Sequence, residues 1–269
     1  MIGSLVVKIN ETYQWLDQYS DPRTKSLPLI ENPFTVLWVV SGYFIGIWCL
    51  LKFMENQKPF KLNKIMVFYN LSLALLNLKI FITAIKYSYI LNYNFVCEPY
   101  RVSYHPMELI LIDNNWLYYI SKIVEFCDTM FFILRKKNTQ LSFLHVYHHS
   151  SVFVLSWVVM KWTPSGSVIS ALKLNSFVHI VMYSYYGLAA VGPHMAKYLT
   201  WKKHLTKIQI IQFLIAFYIA ASNMLNGCQY PIGLKICALF YAVSYLILFG
   251  NFYWKSYLKG AKKQILKEA

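Results

Sequence analysis

The sequence predicts an all-α protein with several membrane-spanning helices, and three features of its 269 residues support this prediction. Hydrophobic residues make up 57% of the chain and charged residues only 14%, whereas soluble domains carry roughly 25% charged residues. The chain is also rich in Trp, Tyr and Phe, of which Trp and Tyr concentrate at membrane–water interfaces. Finally, the apolar residues occur in runs of about 20, the length that an α-helix needs to cross the hydrocarbon core.

Seven apolar segments are long enough to span a bilayer as helices. Helix-breaking residues separate them, for example Asn32-Pro33 before the first segment and Gly192-Pro193 after the fifth. No internal repeat or linker divides the chain, so residues 1–269 are predicted to form a single transmembrane domain. The predicted spans are Phe34–Phe53, Ile65–Ile90, Trp116–Leu134, Leu141–Met160, Val168–Ala190, Ile208–Leu225 and Leu234–Trp254.

The distribution of basic residues predicts the orientation of these spans. Sixteen Lys and Arg residues lie in or beside the loops after the first, third and fifth spans and in the C-terminal tail, whereas six lie on the other side. The N-terminus is therefore predicted to be lumenal and the C-terminus cytosolic. Asn10-Glu11-Thr12 is a sequon on the predicted lumenal side, which makes Asn10 a candidate glycosylation site.

The five cysteines form no CxxC pair, so a zinc or redox motif is not expected. Cys97 and Cys228 fall in the two lumenal loops after the second and sixth spans, where the compartment is oxidising. We predict a disulfide between them. Cys49, Cys127 and Cys237 lie within spans and are predicted to stay reduced as small buried side chains.

The chain carries a formal net charge of +15, which in a soluble protein would suggest a nucleic-acid ligand. Here the basic residues sit in short loops between apolar segments. At those positions they are expected to face anionic lipid head groups or an anionic soluble ligand. We therefore predict contact with membrane lipid and no binding of nucleic acid.

The third span contains charges that a membrane helix does not normally carry. Lys122, Glu125, Asp128 and Thr129 recur at intervals of three and four residues, which places them on one helical face. Each central Lys or Asp costs about 2.5–3.5 kcal/mol on insertion. Ionisable residues within membrane spans usually mark functional sites, so this face is a candidate active site. The alternative is an ion-pair network that only holds helices together.

The fourth and fifth spans add histidines to this polar group. His145, His148 and His149 share one face of the fourth span. A second polar and aromatic stripe follows the fifth span and comprises Asn175, His179, Met182, Tyr183 and Tyr186. A single histidine on such a stripe is more often a structural core residue, but four of the seven histidines lie in these two neighbouring spans.

These side chains have the chemistry for proton and acyl transfer. Imidazole has the unperturbed pKa nearest neutrality, which suits it to acid–base and nucleophilic catalysis. A carboxylate such as Asp128 could fix the tautomer of one histidine, as in a catalytic triad. Gln209 and Gln212 open the sixth span and supply amides one turn apart, either for a ligand or simply as a polar helix end.

Four segments together resemble the very-long-chain fatty acid elongase family of the ELO type: KIVEFCDT at 122–129, HVYHH at 145–149, NSFVHIVMYSYY at 175–186 and TKIQIIQ at 206–212. The resemblance implies seven transmembrane helices, six of which form a barrel around an acyl tunnel that is closed at the lumenal end. It also implies the first step of the elongation cycle in the endoplasmic reticulum membrane. In that step acyl-CoA and malonyl-CoA give 3-ketoacyl-CoA, CO2 and CoA.

The resemblance also implies roles for individual residues. His148 would accept the acyl group as an acyl-imidazole, and His179 would assist malonyl-CoA decarboxylation or hold the second thioester. His145, His149, Asp128 and Asn175 would orient them, while Lys122 and Glu125 complete the predicted catalytic group. Neither a metal nor a cofactor is implied, because acyl-CoA and malonyl-CoA are substrates.

The predicted substrate site also includes residues outside the histidine motifs. Asn175, Tyr183, Tyr186, Gln209 and Gln212 are predicted to bind substrate. Both substrates end in a polyanionic CoA, which basic residues at the cytosolic mouth would bind, although these could instead serve only as positive-inside charges facing lipid. The basic candidates are Arg135, Lys136, Lys137, Lys202, Lys203, His204 and Lys255. A homodimer is a further expectation, as is association with the ketoacyl-CoA reductase, dehydratase and enoyl reductase of the cycle.

Three alternatives remain at this stage. A membrane di-iron desaturase or hydroxylase also uses HxxHH boxes, but it needs several boxes, and His105 and His194 lie in loops away from a second one. A seven-span receptor or proton-coupled transporter could use the charged face as a ligand or proton path. Within the elongase hypothesis, Cys127 is a rival nucleophile, although helical geometry rotates it away from the Lys122–Glu125–Thr129 face.

Overall fold

The computed structural model describes residues 2–259, which contain nine α-helices and, within that range, no β-strand. The side chain of Asn10 and residues 260–269 of the predicted cytosolic tail lie outside the described part. Short 3₁₀ turns occupy Asn138–Gln140 and Pro193–Tyr198, and a π-helical segment, Trp254–Leu258, follows the last helix. The helices are α1 Ile2–Asp17, α2 Pro33–Met54, α3 Asn63–Ile90, α4 Pro106–Val124, α5 Phe126–Leu134, α6 Phe143–Trp162, α7 Val168–Val191, α8 Lys202–Leu225 and α9 Ile232–Tyr253.

Local capping signals account for several helix starts. Asn32 accepts a hydrogen bond from the amide of Phe34 at 2.9 Å and precedes Pro33 in the first turn of α2. His105 caps α4 in the same way, with Nδ1 3.3 Å from the amide of Met107. This role accounts for one histidine outside the predicted site.

The predicted third span is not a single helix from Trp116 to Leu134. The helix begins earlier, at Pro106, and is interrupted at Glu125, after which α5 continues. The amide of Asp128 bonds to the carbonyl of Glu125 at 3.1 Å, a three-residue spacing that tightens the turn at this point. The early start was missed because Glu108, Asp113 and the two asparagines that follow lower the hydropathy of the first turns of α4.

The prediction of an all-α polytopic membrane protein is confirmed. Among the described residues, five helical segments are long and apolar enough to cross a membrane: α2, α3, α6, α8 and the segment from α9 to Leu258. The break between α4 and α5 shortens the apolar run of the predicted third span. Polar residues lower the hydropathy of α7, so neither of these two segments is among the five. The seven-span count and the barrel stay predictions.

Helix packing brings the polar helices together in the interior. Helix α3 packs along α7, α8 packs along α9, and α4 contacts α3, α6 and α7. Stacked aromatic rings fill the space between α4 and α6, where Tyr119 and Phe153 have centroids 5.3 Å apart and are fully buried. The charged face of α4 is therefore held against α6 and α7 rather than against lipid.

The loops of the predicted lumenal side are tied to one another. The structure joins Cys97 to Cys228 by a disulfide, the pair that the topology predicts. Gly166 lies beside them with φ +80°, and a Cβ at this position would come within 3.1 Å of the carbonyl oxygens of Glu98 and Pro99. Only glycine fits this approach without strain.

A buried ion pair fixes the N-terminal segment to the same end of the molecule. Arg23 and Asp21 pair at 2.6 Å with fully buried side chains, and the Tyr100 hydroxyl donates to Asp21 at 2.8 Å. Burial and this hydrogen bond raise the pKa of Tyr100, so the hydroxyl stays protonated and keeps donating. The predicted lumenal end is consequently a cross-linked cap over the helices.

The remaining cysteines correct one prediction. Cys49, Cys127 and Cys237 are free thiols, as expected, but they are exposed on the outer surface of the helices rather than buried. Membrane-facing surfaces are apolar like a protein core, so sequence alone does not separate lipid contact from burial.

Candidate active site

The charged side chains of α4 meet in an ion pair beside the helix break. Lys122 Nζ lies 2.6 Å from Glu125 Oε1, and both side chains are almost completely buried. Lys122 also sits over the ring of Tyr118, 4.2 Å from its centroid. A buried charge without a partner would be strongly unfavourable, and this pairing satisfies both groups.

The Glu125 carboxylate also reaches the histidines. His179 Nδ1 lies 3.3 Å from Glu125 Oε1, within ion-pair distance, although the angle does not form a hydrogen bond. Glu125 Oε2 is buried and has no hydrogen-bond partner among the described residues. The carboxylate therefore has spare acceptor capacity beside an imidazole, which suits it to proton handling.

Asp128 has a different partner from the one expected. Its Oδ2 accepts a hydrogen bond from the Tyr183 hydroxyl at 2.8 Å, and within residues 2–259 no histidine donates to it. Asp128 follows the break at Glu125, so its side chain points to α7 rather than to the histidines of α6. Tyr183 connects it indirectly to His179, since the two rings lie 5.6 Å apart.

The four histidines form a cluster between α6 and α7. The ring centroids of His145 and His149 are 4.3 Å apart, those of His148 and His149 are 5.4 Å apart, and those of His148 and His179 are 6.4 Å apart. His145 contacts α5, where its Nε2 lies 2.8 Å from Thr129 Oγ1, and it does not line the cavity described below. His148 Nδ1 is buried without a partner in the described part of the chain.

An elongated cavity opens beside His148. Its volume is about 220 Å³, and its walls are mainly apolar side chains of α6, α7, α8 and α9. Asn175 and Gln212 also line it, and the Tyr118 hydroxyl donates to Asn175 Oδ1 at 2.8 Å. His148 and Val159 both line it from α6, and eleven residues of helix extend roughly 16 Å. The cavity can hold a long apolar group with one end at the histidines.

Not every predicted residue faces this cavity. Tyr183 binds Asp128 instead, Tyr186 is 37% exposed, and the Gln209 amide contacts the sulfur of Met182 at 3.7 Å. None of these three is in the cavity wall. The polar and aromatic stripe of α7 therefore serves two purposes. Asn175 lines the cavity, whereas Tyr183 contacts α5 and Met182 contacts α8.

The predicted basic residues lie at the ends of helices and are mostly exposed. Lys136 adopts a positive φ of 52° in the turn after α5, and its Nζ donates to the carbonyl of Glu55 at 3.2 Å. Lys203 lies over the ring of Tyr253, 5.8 Å from its centroid, which brings the start of α8 to the end of α9. Lys255 follows Tyr253 in the chain and so lies at the same end.

Two tyrosines of α9 belong to the site and were missed by the sequence analysis. Tyr245 is 1% exposed, lines the cavity with its ring 5.3 Å from that of His148, and donates to the hydroxyl of Tyr241 at 2.7 Å. Ser151 Oγ lies 3.1 Å from the Tyr245 hydroxyl. The spacing of four residues between two tyrosines in an apolar span was a signal that could have pointed to them.

The fold and the site thus define a class of protein. It is a polytopic helical membrane protein with a buried cluster of histidines, a carboxylate and a lysine beside an apolar cavity. Comparison with known proteins adds the family: residues 28–265 match the ELO (GNS1/SUR4) family. The chain belongs to this family, that of the very long chain fatty acid elongases.

Its relatives agree with this assignment. The chain is 39% identical over 259 residues to very long chain fatty acid elongase 4 of Homo sapiens, an alignment covering 96% of this chain and 82% of that one. It is 41% identical over 246 residues to elongase 7 of Drosophila melanogaster, covering 91% and 75%. Identity to elongase 5 of Xenopus tropicalis is 40% over 239 residues, covering 89% and 80%.

Proposed function

We propose that this protein is the condensing enzyme of a fatty-acid elongation cycle in the endoplasmic reticulum membrane, a very-long-chain 3-oxoacyl-CoA synthase. It joins a long acyl-CoA to malonyl-CoA and releases CO2 and CoA. The observation that carries the proposal is the position of His148 in the wall of a long apolar cavity, beside a buried ion pair and a second histidine. Membership of the ELO family supports the same reaction.

The proposed membrane arrangement extends the five apolar segments to seven. Helices α4 and α5 together form one further span, α7 forms another, and α1 stays at the lumenal side. Six of the seven enclose the cavity as a barrel, and the disulfide-linked loops close its lumenal end. Burial of an acyl chain there is favourable by about 0.8 kcal/mol per methylene, which holds the thioester at the histidines.

The chemistry proceeds in two steps. In the first, the His148 imidazole attacks the acyl thioester, the carbon–sulfur bond breaks, and the departing CoA thiolate takes the ring proton. In the second, malonyl-CoA loses CO2, and the resulting enolate carbon attacks the acyl-imidazole. A carbon–carbon bond forms, the carbon–nitrogen bond breaks, and the released imidazolide takes a proton from water, which replaces the proton that left with CoA. These two steps require no metal or organic cofactor.

The neighbouring residues have proposed roles in these steps. His179 stabilises the malonyl thioester as malonyl-CoA loses CO2. Glu125 lies beside His179 and exchanges a proton with its imidazole. Lys122 balances the carboxylate charge. Asn175 supplies an amide for the thioester end. Asp128 acts through Tyr183, which it holds against His179.

The CoA portions of both substrates stay at the cytosolic mouth, where the basic residues at the helix ends neutralise their phosphates. This location also gives the product access to the other enzymes of the cycle, and we propose association with its ketoacyl-CoA reductase, dehydratase and enoyl reductase. A homodimer in the lipid bilayer is part of the same proposal.

Intact-protein mass spectrometry tests the covalent step directly. The purified chain is exposed to a long acyl-CoA without malonyl-CoA, and peptide mapping locates the added acyl mass. An adduct on His148 supports the mechanism. An adduct on Cys127 in its place contradicts it. Labelled malonyl-CoA provides the second readout, because CO2 should be released only when the acyl-CoA is also present.

A further inference from the structure

Two donors on α4 fix the orientation of the Asn175 side-chain amide. The Tyr118 hydroxyl donates to Asn175 Oδ1 at 2.8 Å, and the Lys122 ammonium approaches the same oxygen at 3.5 Å. An ammonium can only donate, and within an amide only the oxygen accepts. A reversed amide would turn its NH2 group towards the ammonium. The amide oxygen of Asn175 therefore faces α4.

The amide nitrogen of Asn175 is left free by this orientation. Within residues 2–259, Nδ2 has no hydrogen-bond partner, yet it is not one of the side-chain atoms that are buried without a partner. Asn175 is half-buried and lines the cavity. Its two N–H donors are therefore accessible from the cavity, in contrast to the enclosed Nδ1 of His148.

Tyr118 connects this amide to the ion pair of α4. Its side chain is almost completely buried and lines the same cavity as Asn175, and its ring lies under the Lys122 ammonium, 4.2 Å from Nζ to the centroid. A phenol hydroxyl has one proton, and here Asn175 accepts it. Tyr118 therefore acts on a ligand through Asn175 rather than as a second donor.

The position of Asn175 relates it to the acyl thioester rather than to malonyl-CoA. Asn175 and His148 both line the cavity, whereas in the described structure His179 is not part of its wall. Under the proposed function, an acyl chain in the cavity has its thioester at His148. Asn175 lies about one helical turn before His179 on α7, and the rings of His179 and His148 are 6.4 Å apart. The free amide donors thus lie at the histidine end of the site.

We infer that Tyr118 is a positioning residue for the acylation step, because it holds Asn175 with Nδ2 directed at the oxygen of the acyl thioester. The inference rests on the proposed function. When His148 attacks, the nitrogen–carbon bond forms and the π electrons of the carbonyl move to its oxygen, which accepts from Nδ2. When this oxyanion collapses, the carbonyl re-forms, the carbon–sulfur bond breaks, and the CoA thiolate leaves with the ring proton. A donor that is fixed in advance stabilises the oxyanion without reorganisation.

The rate of His148 acylation tests the inference. The purified full-length protein in lipid nanodiscs is mixed with a long acyl-CoA without malonyl-CoA, the reaction is quenched at intervals, and mass spectrometry follows the adduct. Tyr118→Phe removes the hydroxyl and keeps the ring under Lys122. It should lower the acylation rate at saturating acyl-CoA about three- to tenfold, the loss expected for one hydrogen bond. The acyl-CoA concentration that gives half of this rate should stay the same.

A double variant separates positioning from a purely structural role. Asn175→Ala removes the donor to the oxyanion and should lower the acylation rate about 100-fold. Adding Tyr118→Phe to Asn175→Ala should cause no further loss, because the hydroxyl then has no amide to hold. Tyr119→Phe is the matched control, since this neighbouring buried hydroxyl donates to the Leu29 carbonyl at 3.3 Å, outside the site. It should keep the native rate.

Melting temperatures in detergent establish that each variant is folded. If Asn175→Ala is not folded, Asn175→Asp takes its place, because it keeps the oxygen that binds Tyr118 and has no N–H donor. The same absence of a further loss is expected when Tyr118→Phe is added to it.

Three results would overturn the inference and leave the proposed function standing. Tyr118→Phe could acylate at the native rate, it could change only the half-maximal acyl-CoA concentration, or it could cause the same loss with and without the Asn175 amide. If the native chain forms no adduct on His148 and releases no CO2 with both substrates, the proposed function itself fails and the role of Tyr118 is rejected with it.

Discussion

At the scale of single residues, the site depends on buried charges that neutralise one another. Lys122 and Glu125 have side chains 1% and 0% exposed and lie 2.6 Å apart, so neither is left alone in a low-dielectric interior. His179 and Asn175 contact the same pair, the latter 3.5 Å from Lys122 Nζ. The network therefore connects α4 to α7 at the point where the histidines lie.

Glu125→Gln should destabilise the protein by about 3–5 kcal/mol, because it leaves the Lys122 ammonium buried without a counter-charge. Thermal unfolding in detergent measures the effect. The double variant Lys122→Met/Glu125→Gln removes both charges and should recover much of the loss. Glu55→Gln, at an exposed position, is the control. A melting temperature for Glu125→Gln equal to that of the native chain would contradict burial of the pair in the protein interior.

His148→Ala should abolish condensation without unfolding the protein. The imidazole lines the cavity and makes no hydrogen bond through Nδ1 in the described structure, so few stabilising contacts are lost. Release of labelled CO2 reports activity, and the melting temperature reports folding. His194→Ala, in the loop after α7, serves as the matched control. Turnover retained by His148→Ala would remove this residue from the mechanism.

At the scale of helices and turns, the interruption at Glu125 decides what each carboxylate contacts. Glu125 faces Lys122 and His179, while Asp128, at the start of α5, faces Tyr183. On an uninterrupted helix both would lie on one face, as the residue spacing predicts. The break therefore divides one predicted acidic face between two partners.

Gly166→Ala should lower stability by about 1–3 kcal/mol, because the residue has φ +80° and the added Cβ would approach two backbone carbonyl oxygens at 3.1 Å. The measurement is the melting temperature in detergent. Gly42→Ala, where a Cβ meets nothing within 4 Å, should be neutral or slightly stabilising. Equal melting temperatures for the two variants would argue against the close packing of this turn on residues 98–99.

At the scale of the whole molecule, the cross-linked cap holds together segments that are far apart in the chain. The disulfide joins positions separated by 131 residues, and the Asp21–Arg23 pair brings the N-terminal segment to the same end. This cap lies beside the cavity, since Lys235, which lines the cavity, bonds to the carbonyl of Cys228.

Cys97→Ser/Cys228→Ser should reduce stability by about 2–5 kcal/mol, since the bridge restricts a long loop in the unfolded chain. Its melting temperature is compared with that of Cys49→Ser/Cys237→Ser, which changes two exposed free thiols. A loss of similar size in both double variants would mean that the bridge does not stabilise the fold.

The proposed orientation can be tested at Asn10. If the N-terminus is lumenal, the chain expressed in cells with an endoplasmic reticulum should carry a glycan that a glycosidase removes, and Asn10→Gln should lack it. The gel mobility of treated and untreated protein gives the answer. A cytosolic N-terminus, detected by protease accessibility in sealed microsomes, would reverse the assignment of both loop sets.

The sequence by itself determined the helical membrane class and the family, because hydropathy and sequence motifs are local properties. It also determined which cysteines form a pair, through the compartment of their loops. Only the tertiary structure decided that Glu125 rather than Asp128 meets His179, that Tyr245 joins the site, and that Lys235 bonds to the backbone carbonyls of Asn223 and Cys228. These outcomes depend on which helices pack together and how each is rotated. Contacts between distant segments determine both, and no local pattern encodes them.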